Sequence, residues 1–327
     1  MSRFAALTLG LGSLLVVAVL ASLASGPLAA SPGDLTRALF GVGPPDAETA
    51  LALRGPRVAT AILTGASLAG AGAAFQILFR NPLVAPDLLG VSSGAGLGAA
   101  LALIAGGSAL LIQGSAFAGG LAAAALALTC AAAARGHEPR LSLVLCGLVV
   151  GALASAGLSL AVVLAEPYSQ LPALTYWLLG AFSRATTSED ALGVVPMALG
   201  AATLLWLGFR LDVLSLGDEQ ARSLGLPASR LRILAVVAAS LMTSSAVALA
   251  GVVGWIGLLA PHAARLVVGP QASRLLPASL LTGALFALAV DRLTTAFGPA
   301  ELPVGLVAAA LGAPAFLALF VMTGRRA

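Results

Sequence analysis

The chain has 327 residues, 59% of them hydrophobic and only 9% charged, with a net charge of +4. A soluble domain carries about 25% charged residues, so the composition excludes a soluble globular protein and points to a polytopic membrane protein. All 17 basic residues are arginine, which excludes a P-loop ATPase, whose phosphate loop needs a lysine, and any Schiff-base chemistry on lysine.

The first apolar run, 4–26, follows Arg3 and ends in a small-residue stretch like that of a signal peptide. Its core is about 20 residues, the length of a true span, and it reads as an uncleaved first helix. A Pro- and Gly-rich segment, 27–56, comes next and closes on Leu53-Arg-Gly-Pro-Arg57. Arg54 and Arg57 stand just before the second span, 57–79, either as interfacial anchors or as a basic docking point for an acidic partner.

Residues 80–98 hold a charged turn broken by Pro82 and Pro86, with Arg80 and Asp87, and then a glycine-rich helix start. Irregular backbone exposed to lipid would leave its polar groups unsatisfied, so this turn belongs at a membrane surface. Spans at 88–108, 110–134 and 141–165 follow. Cys130 and Cys146 lie in or beside these runs and read as packing thiols, with no disulfide framework and no metal site.

The segment 166–190 is long enough for a short re-entrant or interfacial helix over Leu174–Phe182. After the span at 191–209, residues 210–230 form the most charged part of the chain. Within it, 216–225 reads as a short helix. Asp218 caps its start or favours its dipole, Gly225 suits the left-handed closing position and Pro227 follows. Such a helix is a lever for a partner protein or an ordinary solvated loop helix.

The uncharged run from 233 to 264 is too long for one span and is split at Gly251 and Gly254, giving spans 231–250 and 252–268. His262 and Arg265 end the second of these and are expected at the last carbonyls and the interface. Spans at 275–296 and 303–323 complete a set of ten. Asp291-Arg292 and Glu301 flank the last turn; Glu301 precedes Pro303, which fits the first turn of the tenth helix, and a negative charge there complements the helix dipole or meets an external partner.

Ten spans put both termini on one side. With that side inside, twelve arginines are cytoplasmic (3, 80, 135, 140, 210, 222, 230, 232, 265, 274, 325 and 326) and five external (37, 54, 57, 184 and 292), as the positive-inside rule expects. The turns at 80–90 and 210–230 are then cytoplasmic, and 27–56 and 166–190 external. Only Asp291 is an acidic residue within a span, and it lies near an outer end. That argues against an ion-coupled carrier, which needs intramembrane charge. No catalytic triad or metal-ligand spacing suggests an enzyme.

Taken in order, several pieces resemble the FecCD/vitamin B12-permease family of type II ABC importers. They are Leu53–Arg57, Gly65–Gly70, Gln76, Arg80–Gly94, Gly180, Leu216–Gly225, Gly254–Arg265, Glu301–Gly305 and Gly312–Phe316. The resemblance covers roughly 50–320. It implies an all-α membrane protein of ten transmembrane helices, one permease domain over 1–327, in a bacterial or archaeal cytoplasmic membrane. It implies a second permease subunit, in the first instance a copy of this chain, two ABC ATPase subunits that bind ATP and Mg, and a solute-binding protein outside. No cofactor and no nucleic acid are expected for this chain.

On that resemblance Leu216, Gly217, Asp218, Glu219, Gln220, Ala221, Arg222, Ser223, Leu224 and Gly225 form the ATPase-coupling helix. Arg54 and Arg57 look like docking arginines, and Asn81, Pro82 and Leu83 like part of a cytoplasmic gate. The family often carries a third docking arginine four residues after the aspartate of the ninth span; here that position is Thr295, and the role shifts to Arg292 or is lost. Ferric siderophore is the commonest cargo of the family, with cobalamin, haem and molybdate or tungstate as alternatives. A non-transporting membrane scaffold and an ion-coupled carrier are the readings from other classes.

Overall fold

A computed structural model describes residues 3–26, 30–134, 138–184, 187–296 and 301–324. Arg135, Arg325 and Arg326, three of the arginines used to orient the chain, lie outside the described residues. The described residues form thirteen α-helices and no strand. In chain order these are α1 (Arg3–Ala24), α2 (Pro32–Leu39), α3 (Pro45–Leu78), a 3-10 turn (Pro86–Leu89), α4 (Val91–Ile104), α5 (Ala109–Ala133), α6 (Pro139–Leu164), α7 (Gln170–Leu179), α8 (Thr187–Leu216), α9 (Asp218–Ser223), α10 (Ala228–Ala250), α11 (Ile256–Val268), α12 (Ala272–Thr294) and α13 (Val304–Gly324).

The ten predicted spans fall on α1, α3, α4, α5, α6, α8, α10, α11, α12 and α13. Seven are long and apolar enough to cross a membrane, and α4, α11 and α13 hold shorter apolar stretches. The remaining helices, α2, α7 and α9, lie in the three connecting segments that the sequence marked out.

Two helices sit innermost. The apolar windows of α3 and α10 are 78% buried, whereas that of α1 is not buried at all. Burial all round is possible because α3 is lined with alanine and glycine from Gly65 to Ala74. A Cβ on Gly65 would meet the backbone of Gly283 on α12, and one on Gly283 would meet Gly65. Without a hydrophobic drive between helices in lipid, such backbone contact is what holds them together.

The structure corrects several boundaries. The second span begins twelve residues early, at Pro45. Proline there occupies the first helical turn, where its missing N–H costs nothing, and Asp46 and Glu48 complement the helix dipole. Pro56 lies inside α3, next to the exposed residues Ala52 and Leu53, where water can serve the carbonyl that proline frees. Similarly α8 runs on past 209 to Leu216. Its Arg210 lies over the Trp206 ring at 4.0 Å, and its Asp212 accepts from the backbone N–H groups of Ala272 and Ser273 at the start of α12.

The break between α10 and α11 falls at Gly251 to Trp255, as expected. Gly251 has φ +77° and Trp255 φ +69°. This irregular backbone is packed against protein: the Ala181 N–H donates to Ala250 O at 2.9 Å and the Val304 N–H to Gly180 O at 3.0 Å. The short helix α7 delivers Gly180 into that junction, a little ahead of the predicted Leu174–Phe182.

Candidate functional site

Two ends of the bundle carry chemistry. They are separated along α3 by the residues between Arg57 and Arg80, about 35 Å of helix.

At one end α9 forms a single tight helix. Gly217 precedes it with φ +146°. It closes on a Schellman motif, with the Gly225 N–H on Arg222 O at 2.9 Å and the Leu226 N–H on Ala221 O at 2.9 Å. Gly225 has φ +77°, the left-handed geometry expected for it. Ala221 is buried, while Glu219, Gln220, Arg222 and Ser223 are exposed. Leu216 and Leu224, on either side of α9, are each 64% exposed.

Asp218 does not cap α9; Gly217 holds that position and no side chain caps it. The Asp218 carboxylate is taken instead by arginines of two other helices. Arg232 Nη2 of α10 is 2.7 Å from both oxygens, and Arg140 Nη2 of α6 is 3.2 Å from Oδ1. Burial raises the Asp218 pKa, but the hydrogen bonds and charges of Arg232 and Arg140 outweigh it and hold the carboxyl below its ordinary value.

Arg80 stands beside this clamp. It closes α3 in a second Schellman motif, with its own N–H on Ile77 O and the Asn81 N–H on Gln76 O. The closing residue is usually glycine, yet here it is an arginine at φ +50°, a conformation that costs roughly 1–2 kcal/mol for a residue with a Cβ. Its Nη2 donates to Leu214 O of α8 at 3.3 Å.

Asn81 Oδ1 accepts from the Leu83 N–H at 2.9 Å and tightens the turn. Asp87 Oδ1 accepts from the Ser92 N–H at 3.1 Å at the start of α4. Asn81, Leu83 and Asp87 line a cavity of about 720 Å³ with Glu138 and Arg140. The 216–225 segment and the 81–83 turn therefore lie at the same end, joined through Arg140.

At the other end the three predicted docking arginines are together, and each has an internal partner. Arg54 Nη1 donates to Leu23 O at 2.7 Å, and Arg292 Nη1 to Ser22 O and Ser25 O at 3.4 and 3.5 Å. Both thus serve carbonyls at or just past the C-terminal end of α1. Arg57 forms a network: Nε to Asp291 Oδ1 at 2.7 Å, Nη2 to Thr294 Oγ1 at 3.0 Å, and Nη2 to Glu301 Oε1 at 2.8 Å. Glu301 also accepts from Ser183 Oγ. It precedes α13, which begins at Val304, so Pro303 stands immediately before the helix rather than in the first turn predicted for it.

His262 and Arg265 also depart from expectation. Arg265 turns inward and donates to Gln76 Oε1 at 3.2 Å, and Gln76 Nε2 donates to Leu258 O at 3.3 Å. His262 is buried edge-on against Phe316, with ring centroids 5.8 Å apart. Among the described residues no group of three or more His, Cys, Asp or Glu could hold a metal ion.

The arrangement matches known proteins along most of its length. The sequence profile of the FecCD transport family matches residues 14–322. This chain belongs to the FecCD transport family. Among relatives of this FecCD permease, the molybdate import permease of Haemophilus influenzae is 32% identical, covering 94% of this chain and 93% of that one. The Fe(3+)-citrate import permease of Bacillus subtilis is 38% identical, covering 97% and 95%. The cobalamin import permease of Halobacterium salinarum is 41% identical, covering 82% and 72%.

A solved metal-chelate type ABC transporter in an inward-facing conformation superposes with a TM-score of 0.89 at 32% identity, covering 97% of this chain and 99% of that one. The FecCD permease is thus a multi-pass membrane subunit without catalytic activity; in its family hydrolysis belongs to a separate ATPase subunit.

Sequence reasoning missed Arg80, Arg140, Arg232 and Asp212 as site residues. Arg232 left a trace, since it follows Asp218 across one Gly-Leu-Pro turn, 225–227. Arg140 left none, because 78 residues separate it from Asp218.

Proposed function

We propose that this FecCD permease carries an iron chelate, a ferric siderophore in the first instance, from a solute-binding protein into the cytoplasm, driven by two ATPase subunits that bind ATP and Mg. The observation that carries the reading is the near full-length match to an Fe(3+)-citrate import permease and to a metal-chelate type transporter. Cobalamin and molybdate, named for other relatives, are the competing cargoes. Haem and tungstate are further alternatives within the class.

The α9 end faces the cytoplasm in this reading, and both termini lie there. Leu216 and Leu224 are large apolar side chains exposed outside the spans, suited to anchor in a cleft of an ATPase. ATP-driven closure of the ATPases then moves α9, and Asn81–Leu83 forms part of the gate over the adjoining cavity. A second copy of the chain completes the pathway.

The solute-binding protein docks on the Arg54, Arg57 and Arg292 end. An acidic residue of that partner reaches Arg57 by displacing Glu301, the more exposed of its two carboxylate partners, at 36% against 4% for Asp291. Such charge pairing steers encounter and sets orientation.

The test is uptake of radiolabelled ferric siderophore, cobalamin and molybdate in cells lacking this chain, with and without complementation. Loss of iron uptake alone, restored by the chain, is expected. Intact iron uptake with loss of cobalamin or molybdate uptake would reassign the cargo.

A further inference from the structure

We propose that Arg140 is the lever through which α9 moves the start of α6 and, with it, the wall of the cavity beneath the 81–88 turn. It is a positioning residue that acts through α9 and touches no transported solute. The inference rests on the coupling role proposed for Leu216–Gly225.

Arg140 lies in the first turn of α6. Its guanidinium engages α9, through Nη2 and Asp218 Oδ1 at 3.2 Å. The same side chain lines the cavity with Asn81, Leu83 and Asp87. One residue therefore joins the segment that a partner would move to the cavity that would open.

The guanidinium also carries a donor in reserve. Its Nε is buried and has no hydrogen-bond partner among the described residues. It faces Glu138 Oε1 at 3.9 Å, within ion-pair range and beyond hydrogen-bond range. Glu138 is held in place, because its Oε2 accepts from the Leu141 N–H at 3.1 Å and caps α6.

Arg140 thus stands between two carboxylates. Asp218 travels with α9, and Glu138 is fixed to the same helix as Arg140. Removing one partner from a largely buried ion pair is costly when the other charge is left alone. Here a shift of about 1 Å would bring Nε to hydrogen-bonding distance of Glu138. Displacement of α9 then breaks the pair with Asp218 and tightens the existing pair with Glu138, which gives the interface two discrete arrangements. Asp218 keeps Arg232 in both, so α9 is not cast loose from α10.

The experiment uses the whole importer, this chain with its ATPase subunits and solute-binding protein, in proteoliposomes. The readout is solute imported per ATP hydrolysed, with radiolabelled ferric siderophore, ferric citrate, haem, cobalamin, molybdate and tungstate as probes. Arg140→Gln is expected to lower that ratio about tenfold while hydrolysis continues. Glu138→Gln keeps an oxygen for the α6 cap but removes the second ion pair, and it should lower the ratio about threefold. Arg140→Lys should recover part of it.

A residue that only held the fold would lower hydrolysis and uptake together and would not respond to Glu138→Gln. An unchanged ratio in Arg140→Gln, or a Glu138→Gln importer indistinguishable from wild type, would overturn the lever. Wild-type importer that takes up none of the probes with ATP would overturn the importer reading itself, a result that needs no variant.

Discussion

Asp291 is 3% exposed and owes its place in the apolar end of α12 to Arg57. Removing one partner of such a pair strands the other charge, at a cost of about 3 kcal/mol. Arg57→Ala should therefore lower the thermal stability of the detergent-purified chain far more than Arg54→Ala. The latter loses a carbonyl cap worth about 1 kcal/mol. Equal shifts in a thermal scan of monodispersity would show that the Arg57 network holds nothing. Arg80 makes a second residue-scale test. Its left-handed backbone suits glycine and is hostile to β-branched side chains. Arg80→Val should be less stable than Arg80→Gly by about 1 kcal/mol, although both lose the bond to Leu214 O. Neither residue's partner was legible in the sequence. The motif around Arg57 was visible, but Asp291 and Glu301 lie more than two hundred residues away. Only packing of α3 on α12 brings them together.

At the scale of helices, the α3–α12 crossing depends on bare backbone at Gly65 and Gly283. Gly65→Val should overpack it and destabilise the chain by about 2 kcal/mol. Gly114→Ala on α5 is the control, because nothing lies within 4 Å of its added Cβ and alanine favours helix. The hold on α9 has a pH signature. Asp218 titrates below its ordinary value, so the stabilisation is present above the ordinary aspartate range. It is lost as pH falls through the lowered folded value. Corrected hydrogen exchange of the α9 amides should stay constant from pH 7 to about 5 and rise below about 4. Asp218→Asn should show the faster exchange already at pH 7. Exchange that quickens near pH 6 would point to a different hold.

Elements whose punctuation is local were readable from the chain: the α10–α11 break at Gly251, the Gly225 closure of α9 and the apolar cores of all ten spans. The early start of α3 and the long α8 were not. In both cases charged residues that resemble span ends are taken up by partners, Arg54 and Arg57 of α3 by Leu23 O and Asp291, Asp212 of α8 by the start of α12 and Arg210 by Trp206.

For the whole molecule, the layout is that of an energy-coupled permease rather than a carrier powered by its own charges. A charge clamp and exposed leucines lie at one end, and arginines holding α1 and α12 at the other. Asp291, the acidic residue the sequence placed within a span, is bound to Arg57 and engaged in structure. The fold class and the order of motifs could be read from sequence because each motif is contiguous. The clamp joining α9 to α6 and α10 could not, because it is assembled across the bundle. The most direct measurement is uptake of radiolabelled ferric siderophore into proteoliposomes holding this chain, its ATPase subunits and its solute-binding protein. Each assay is run with vanadate or with a protonophore. Uptake that requires ATP, stops with vanadate and ignores the protonophore is the predicted result. Uptake that survives vanadate and collapses with the protonophore would contradict it and make the chain an ion-coupled carrier.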